Sequence, residues 1–179
     1  LKLRLVAALS YSNPLTSNSA GQHIYLKKEW ATHYHIKHTI VIKGYIHTLT
    51  LTPKNPNTHL GITIIHAYII NKAIKGEEES KRCSRWKAAA DQLNETLTLK
   101  PSPINLAIHV GDFNFAIDPL DRTGPSRGET IEFKEALASF QGHFNMDEVI
   151  QPNHTYYHNH EGNTSKLDRA YCTRLNSVL

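Results

Sequence analysis

The chain has only two cysteines, Cys83 and Cys172, among its 179 residues. They lie in separate segments with no CxxC pair, which excludes a disulfide framework and a thiolate zinc site. Two isolated cysteines read as reduced thiols in a reducing compartment. Long apolar runs are missing too. None approaches the roughly 18 residues that a membrane span needs. The opening stretch LKLRLVAAL carries Lys2 and Arg4 and runs into polar SYSNPLTSNS, so it does not read as a secretory leader. The expected location is therefore nuclear or cytoplasmic, not secreted, with no membrane partner. No methionine opens the chain, and the expectation is a piece of a longer polypeptide.

What is present is ordinary globular composition, 40% hydrophobic and 20% charged, which excludes disorder, collagen and coiled coil. The length fits one domain spanning residues 1–179. A net charge of +4 suits an anionic partner such as nucleic acid, although many proteins with this charge bind nothing acidic. Twelve histidines add positive charge below about pH 6.5.

Residues 10–22 read as loop and Gln22–Leu26 as a strand. Thr39–Leu51 is β-branched and partly alternating, which predicts a strand, and the two prolines of Leu51–Leu60 predict a turn. Gly61–Ile70 and Ile104–Val110 are nearly continuous apolar runs, the pattern of central strands covered on both faces. Between them, Cys83, Trp86, Ala90, Leu93 and Leu97 make one stripe of a helix over Glu77–Leu99. A second helix is expected over about Thr130–Phe140, with Gly142 as its stop. The tail reads as strand, hairpin loop and strand. Strands mixed with a helix that crosses between two buried strands give an α/β (α+β) class.

Three groups of residues can carry chemistry. Gly111-Asp112-Phe113-Asn114 ends an apolar strand. Side chains two apart in extended chain point the same way, so Asp112 and Asn114 share one side of the sheet end. There a carboxylate can orient or deprotonate a water, and an amide can bind a phosphoryl oxygen. The competing reading is a turn, which Gly, Asp and Asn all favour. Asp168, in Ser165-Lys166-Leu167-Asp168-Arg169, lies in a partly buried strand and needs a partner, either Arg169 or a histidine that it orients. Tyr68 either packs in its strand or sets its hydroxyl against a phosphate. The clusters His33, His35, His38 and His154, His158, His160 read as solvent-exposed rather than as zinc ligands.

In chain order these are a strand with HAYxxN, a helix with Trp86, GDFN, Asp121-Arg122, a helix, Met146-Asp147, Thr155-Tyr156 and SKLDR. The series resembles the endonuclease/exonuclease/phosphatase superfamily over roughly Gly21 to Tyr171. GDFN and SKLDR together are most similar to the endonuclease domains of non-LTR retrotransposons, which sit beside a reverse transcriptase.

The resemblance implies an incomplete four-layer α/β sandwich and divalent-metal-dependent hydrolysis of DNA phosphodiesters, in a truncated copy. It implies Mg²⁺ or Mn²⁺ on hard oxygen ligands, with Asp112 and Asn114 as a partial site. Asp112 would position or activate the attacking water. Asn114 would contact the scissile phosphate or the metal. Tyr68 would stand beside the phosphate, and Asp168 would orient the family's catalytic histidine. Arg122, Thr155, Lys166 and Arg169 would contact phosphate or DNA. The chain departs from the family in three places. The early asparagine and glutamate have no match, since Asn13 and Asn18 fall in a polar loop and Glu29 comes too late. No Ser-Asp-His follows Asp168, and Ile70 stands where a proline follows the family's tyrosine. Two other functions stay open: a non-catalytic nucleic-acid-binding remnant, and a phosphatase of small phosphate esters.

Overall fold

The computed structural model describes residues 8–14, 21–69, 80, 84, 105–113, 118–123, 131–157 and 162–174. Asn114 and nearly all of the helix expected over Glu77–Leu99 lie outside them. Ser80 and Ser84 are helical, with the Ser84 hydroxyl donating to the Ser80 carbonyl at 2.9 Å.

Strand β1 (Ala8–Pro14) pairs antiparallel with β2 (Gly21–Lys27) as a separate two-stranded sheet. The segment read as loop is therefore half strand, and Asn13 lies in β1 opposite Gln22. After a short helix α1 (Trp30–His33), the main sheet opens with β3 (Tyr34–Ile42) and β4 (Ile46–Pro53). Thr39–Leu51, read as one strand, is thus two strands of a hairpin. Gly44, at φ +77°, makes the reversal that a side chain would disfavour. Then come β5 (Gly61–Tyr68) and β6 (Asn105–Asp112), the two apolar runs. A 3₁₀ turn (Pro119–Asp121), helix α2 (Ile131–Phe144), β7 (Met146–Glu148), β8 (Tyr156–Tyr157), β9 (Thr164–Ser165) and β10 (Asp168–Thr173) complete the order. Helix α2 runs through Gly142, and Asn145 at φ +50° ends it.

The six-stranded sheet has the order β3-β4-β5-β6-β10-β7. Only β5 and β6 are parallel; the other neighbours run antiparallel. Each face has its own core. On one face α2 sets Leu137, Phe140 and Phe144 against Ile65, Ala67, Phe113, Met146 and Tyr171. On the other, Tyr11, Ile24 and Leu26 of the β1–β2 hairpin pack on Leu49, Leu51, Ile62 and Ile64. Hairpin, sheet and helix are three of the four layers expected, seen among the described residues. None of the helices described is long and apolar enough to cross a membrane.

Candidate active site

Tyr68 is the last residue of β5 and Asp112 the last of β6, and the two are register partners. Asp168, the first residue of β10, pairs with Asp112 from the other side. Laterally paired residues share a face of the sheet, so Tyr68, Asp112 and Asp168 stand in one row. The row lies at the C-terminal ends of the parallel pair, where open α/β sheets bind ligands. A cleft of about 510 Å³ opens over it, with Gln22 and His23 of β2, His66 of β5 and Gln151 among its walls.

Gly111 sets the approach of β6 to β5 at this point. Its φ is +154°, and a Cβ there would lie 1.8 Å from the Ala67 carbonyl oxygen. The next hydrogen bond in the row is from the Ile69 N–H to the Asp112 carbonyl at 2.8 Å. The glycine before the aspartate is thus required by the close approach of two backbones.

Around Asp168 the geometry is fixed from the loop side. The Thr155 hydroxyl oxygen accepts the backbone N–H groups of Leu167 and Asp168, each at 3.0 Å. The Phe113 N–H donates to the Leu167 carbonyl at 2.8 Å. Asp121 is buried and accepts from the Arg169 guanidinium, which also donates to Glu148 at 2.9 Å. Lys166 reaches Glu148 at 2.5 Å and Asp121 at 3.9 Å. His154 bridges the Thr164 hydroxyl at 2.5 Å and the Leu120 carbonyl at 3.1 Å.

These contacts give intramolecular partners to three residues expected at phosphate or DNA. Arg169 is 2% exposed and Lys166 is largely covered, and the charge of each is answered by Asp121 and Glu148. A cation already paired with buried Asp121 and half-buried Glu148 would have to break those pairs to reach a phosphate. Thr155 spends its hydroxyl oxygen on the backbone that carries Asp168. Arg122 is half-buried on a bridge to Ser165. Asp168 does not pair with the adjacent Arg169, whose partners are on the other side of β10.

The sequence reading missed the rest of the cleft wall. His66 is two residues before Tyr68 on the same strand, so its side chain shares a face with Tyr68, and the strand reading together with the match to Tyr68 already pointed at it. Gln22, His23 and Gln151 come from segments whose approach to the sheet has no sequence signal.

Neither any protein-family model nor any curated protein matches the chain. Solved structures do. An AP endonuclease from Leishmania major superposes with a TM-score of 0.72 at 15% identity, over 94% of this chain and 62% of that one. The fold is that of the endonuclease/exonuclease/phosphatase structures. The endonuclease domain of TRAS1, a telomere-specific non-LTR retrotransposon, has this fold as well, with a TM-score of 0.60 at 12% identity over 93% of the chain and 67% of its own. A truncated TDP2 from Caenorhabditis elegans gives 0.53 at 14% identity over 93% and 61%. The chain spans less than two thirds of the Leishmania enzyme, and at these identities the likeness is one of endonuclease/exonuclease/phosphatase fold.

Proposed function

We propose that this chain is the catalytic part of a divalent-metal-dependent DNA endonuclease of the retroelement type, carried within a longer polypeptide. The observation that supports this reading is the row Tyr68–Asp112–Asp168 at the C-terminal end of the β5–β6 pair. Neighbours of the same fold are named as endonucleases.

Asp112 is half-buried at the base of the cleft, where its carboxylate orients the attacking water and takes its proton. Tyr68, one strand over, places its hydroxyl against a non-bridging oxygen of the phosphate. Asn114 holds a second oxygen. Asp168 and its Thr155-braced backbone form the opposite rim and orient the group that protonates the leaving oxygen. Arg122 adds a phosphate contact. Among the described residues no three His, Cys, Asp or Glu side chains gather into a metal cage. The Asp112 carboxylate in the cleft is a hard oxygen donor, the kind suited to Mg²⁺ or Mn²⁺, which takes one or two oxygens from protein and completes its shell with water and phosphate. Asp112 and Asn114 would hold it, and it would supply charge stabilisation to an in-line displacement at phosphorus.

The test is nicking of supercoiled plasmid in Mg²⁺, run on the chain and on a version extended through its flanking coding sequence. Asp112→Ala is expected to lower nicking on the order of 10²-fold or more. Full activity in Asp112→Ala would remove GDFN from the catalytic centre and leave only a shared fold.

A further inference from the structure

Three histidines form a continuous chain across three strands. His38 Nε2 lies 3.0 Å from His47 Nδ1, and His47 Nε2 lies 3.0 Å from His66 Nδ1. Both are ordinary hydrogen-bond distances. His38 is on β3, the edge strand, and is half-buried against the Tyr11 ring at 5.5 Å. His47, on β4, is fully buried. His66, on β5, lines the cleft two residues from Tyr68. The chain thus runs from the sheet's edge to the candidate site.

A neutral imidazole carries one N–H and one lone pair. Each contact in the chain must hold a single hydrogen, which leaves only two arrangements. If His47 is protonated on Nε2, it donates to His66 Nδ1 and accepts from His38 Nε2, and His66 must carry its own hydrogen on Nε2. If His47 is protonated on Nδ1, both contacts reverse. His66 then donates through Nδ1 and leaves Nε2 as a lone pair. The buried middle ring therefore decides whether the outer nitrogen of His66 is a donor or an acceptor.

We infer that His38, His47 and His66 form a proton relay that ends at His66 as an acid–base group of the cleft. The reading rests on the proposed phosphodiester chemistry only for what the proton is used for. In the acceptor arrangement His66 Nε2 takes a proton from the cleft. His66 passes its Nδ1 proton to His47 Nε2, His47 passes its Nδ1 proton to His38 Nε2, and His38 releases its Nδ1 proton outward. One proton enters, one leaves, and the three rings end in the donor arrangement. The reverse sequence delivers a proton to the cleft.

The surroundings favour neutral rings. The titratable groups facing His47 are His38 from β3, His66 from β5 and His23 from β2, with Tyr11 of β1 beyond His38. No carboxylate is among them in the described residues; His66 alone also faces carboxylates, Asp112 of β6 and Asp168 of β10, across the cleft. Burial first, and then these neighbouring imidazoles, bring His47 down to about 4. Burial also lowers His38 and His66. The relay is therefore uncharged at neutral pH and moves protons by exchanging tautomers.

Imidazole ¹H–¹⁵N spectra of the histidine-labelled chain at about pH 7.5 test this without any substrate. The Nε2–H fraction is expected to be one shared value for His38, His47 and His66; three independent values would overturn the relay. His38→Phe keeps a ring against Tyr11 at the sheet edge. It is expected to change the Nε2–H fraction of His66, two strands away, and an unchanged His66 would also overturn the relay. In the nicking assay, His66→Asn is expected to lower the rate on the order of 10²-fold. His38→Phe is expected to lower kcat and shift its pH profile with KM unchanged; an unmoved profile counts against the relay. Shared tautomers in an extended chain that does not nick DNA would sink the nuclease reading and leave the relay standing. Nicking that collapses in Asp112→Ala, with independent tautomers, would do the opposite.

Discussion

His109 makes the fold sensitive to acid, by an amount that can be worked out. The ring is 3% exposed and sits against Phe113, Phe140 and Tyr171, with centroid distances of 4.9, 4.8 and 6.0 Å. Neither ring nitrogen meets a hydrogen-bond partner among the described residues. Burial, with a smaller effect of His66, brings its pKa from 6.5 down to about 3. Above pH 6.5 the ring is neutral in both folded and unfolded chain, so ionisation costs nothing. Below 6.5 the unfolded chain takes up a proton that the folded chain refuses, and each pH unit down to about 3 removes roughly 1.4 kcal/mol. Integrated from pH 7 to pH 5, this is a loss of about 2 kcal/mol from one residue. His109→Phe keeps an aromatic ring in the aromatic pocket and removes the titration. Urea unfolding followed by circular dichroism at pH 7 and pH 5, on both proteins, isolates the term. Any packing cost of the larger ring appears at both pH values and cancels in the difference. The variant is expected to lose about 2 kcal/mol less between the two pH values than the parent chain. Equal losses would refute the claim that a neutral, unpartnered His109 is held in the core.

Two further outcomes follow from the site's scaffold. Gly111→Ala forces a Cβ into the Ala67 carbonyl at an unfavourable φ. It is expected to cost on the order of 3 kcal/mol or more in urea unfolding and to disturb the Asp112 row, so a variant as stable as the parent would contradict the close approach. Asp121→Ala leaves Arg169 buried with one carboxylate instead of two and is expected to cost about 3–5 kcal/mol. A loss below about 1 kcal/mol would mean that the cluster behaves like an exposed ion pair.

The strands that build the cleft were legible because they are buried on both faces. Gly61–Ile70 and Ile104–Val110 had to be nearly all apolar, and GDFN marked the end of the second. Reading Tyr68, Asp112 and Asp168 as one row took more than pattern: it came from the family resemblance, since pairing partners 44 and 56 residues apart leave no local trace. The β3–β4 turn was missed because Lys43-Gly44-Tyr45 lacks Pro, Asn and Asp, and a lone glycine carried the reversal. Strand β1 was hidden by serines and an asparagine that favour turns but here face outward or pair along a hairpin. Gly142 looked like a helix stop, but the burial of Phe144 two residues later is worth more than a glycine costs inside a helix. Lys166 and Arg169 looked available to an anion because nothing in a linear reading shows that Asp121 and Glu148 fold back onto them. The three-histidine chain was invisible for the same reason: His38 was assigned to a surface cluster with His33 and His35, while its partners are 9 and 28 residues away on other strands.

The order β5-β6-β10 also bears on how the chain is made. During synthesis β6 emerges with β5 already available, but its other edge must wait for β10, whose first residue follows Asp112 by 56 positions. At ribosomal rates of about 5–20 residues per second, that edge stands open for several seconds. It is an apolar strand with unpaired N–H and C=O groups, a template for whatever extended segment arrives first. The candidate site is thus completed only when the last described strand docks. A nascent chain stalled before Asp168 would carry no assembled cleft, only an adhesive edge for chaperones to shield.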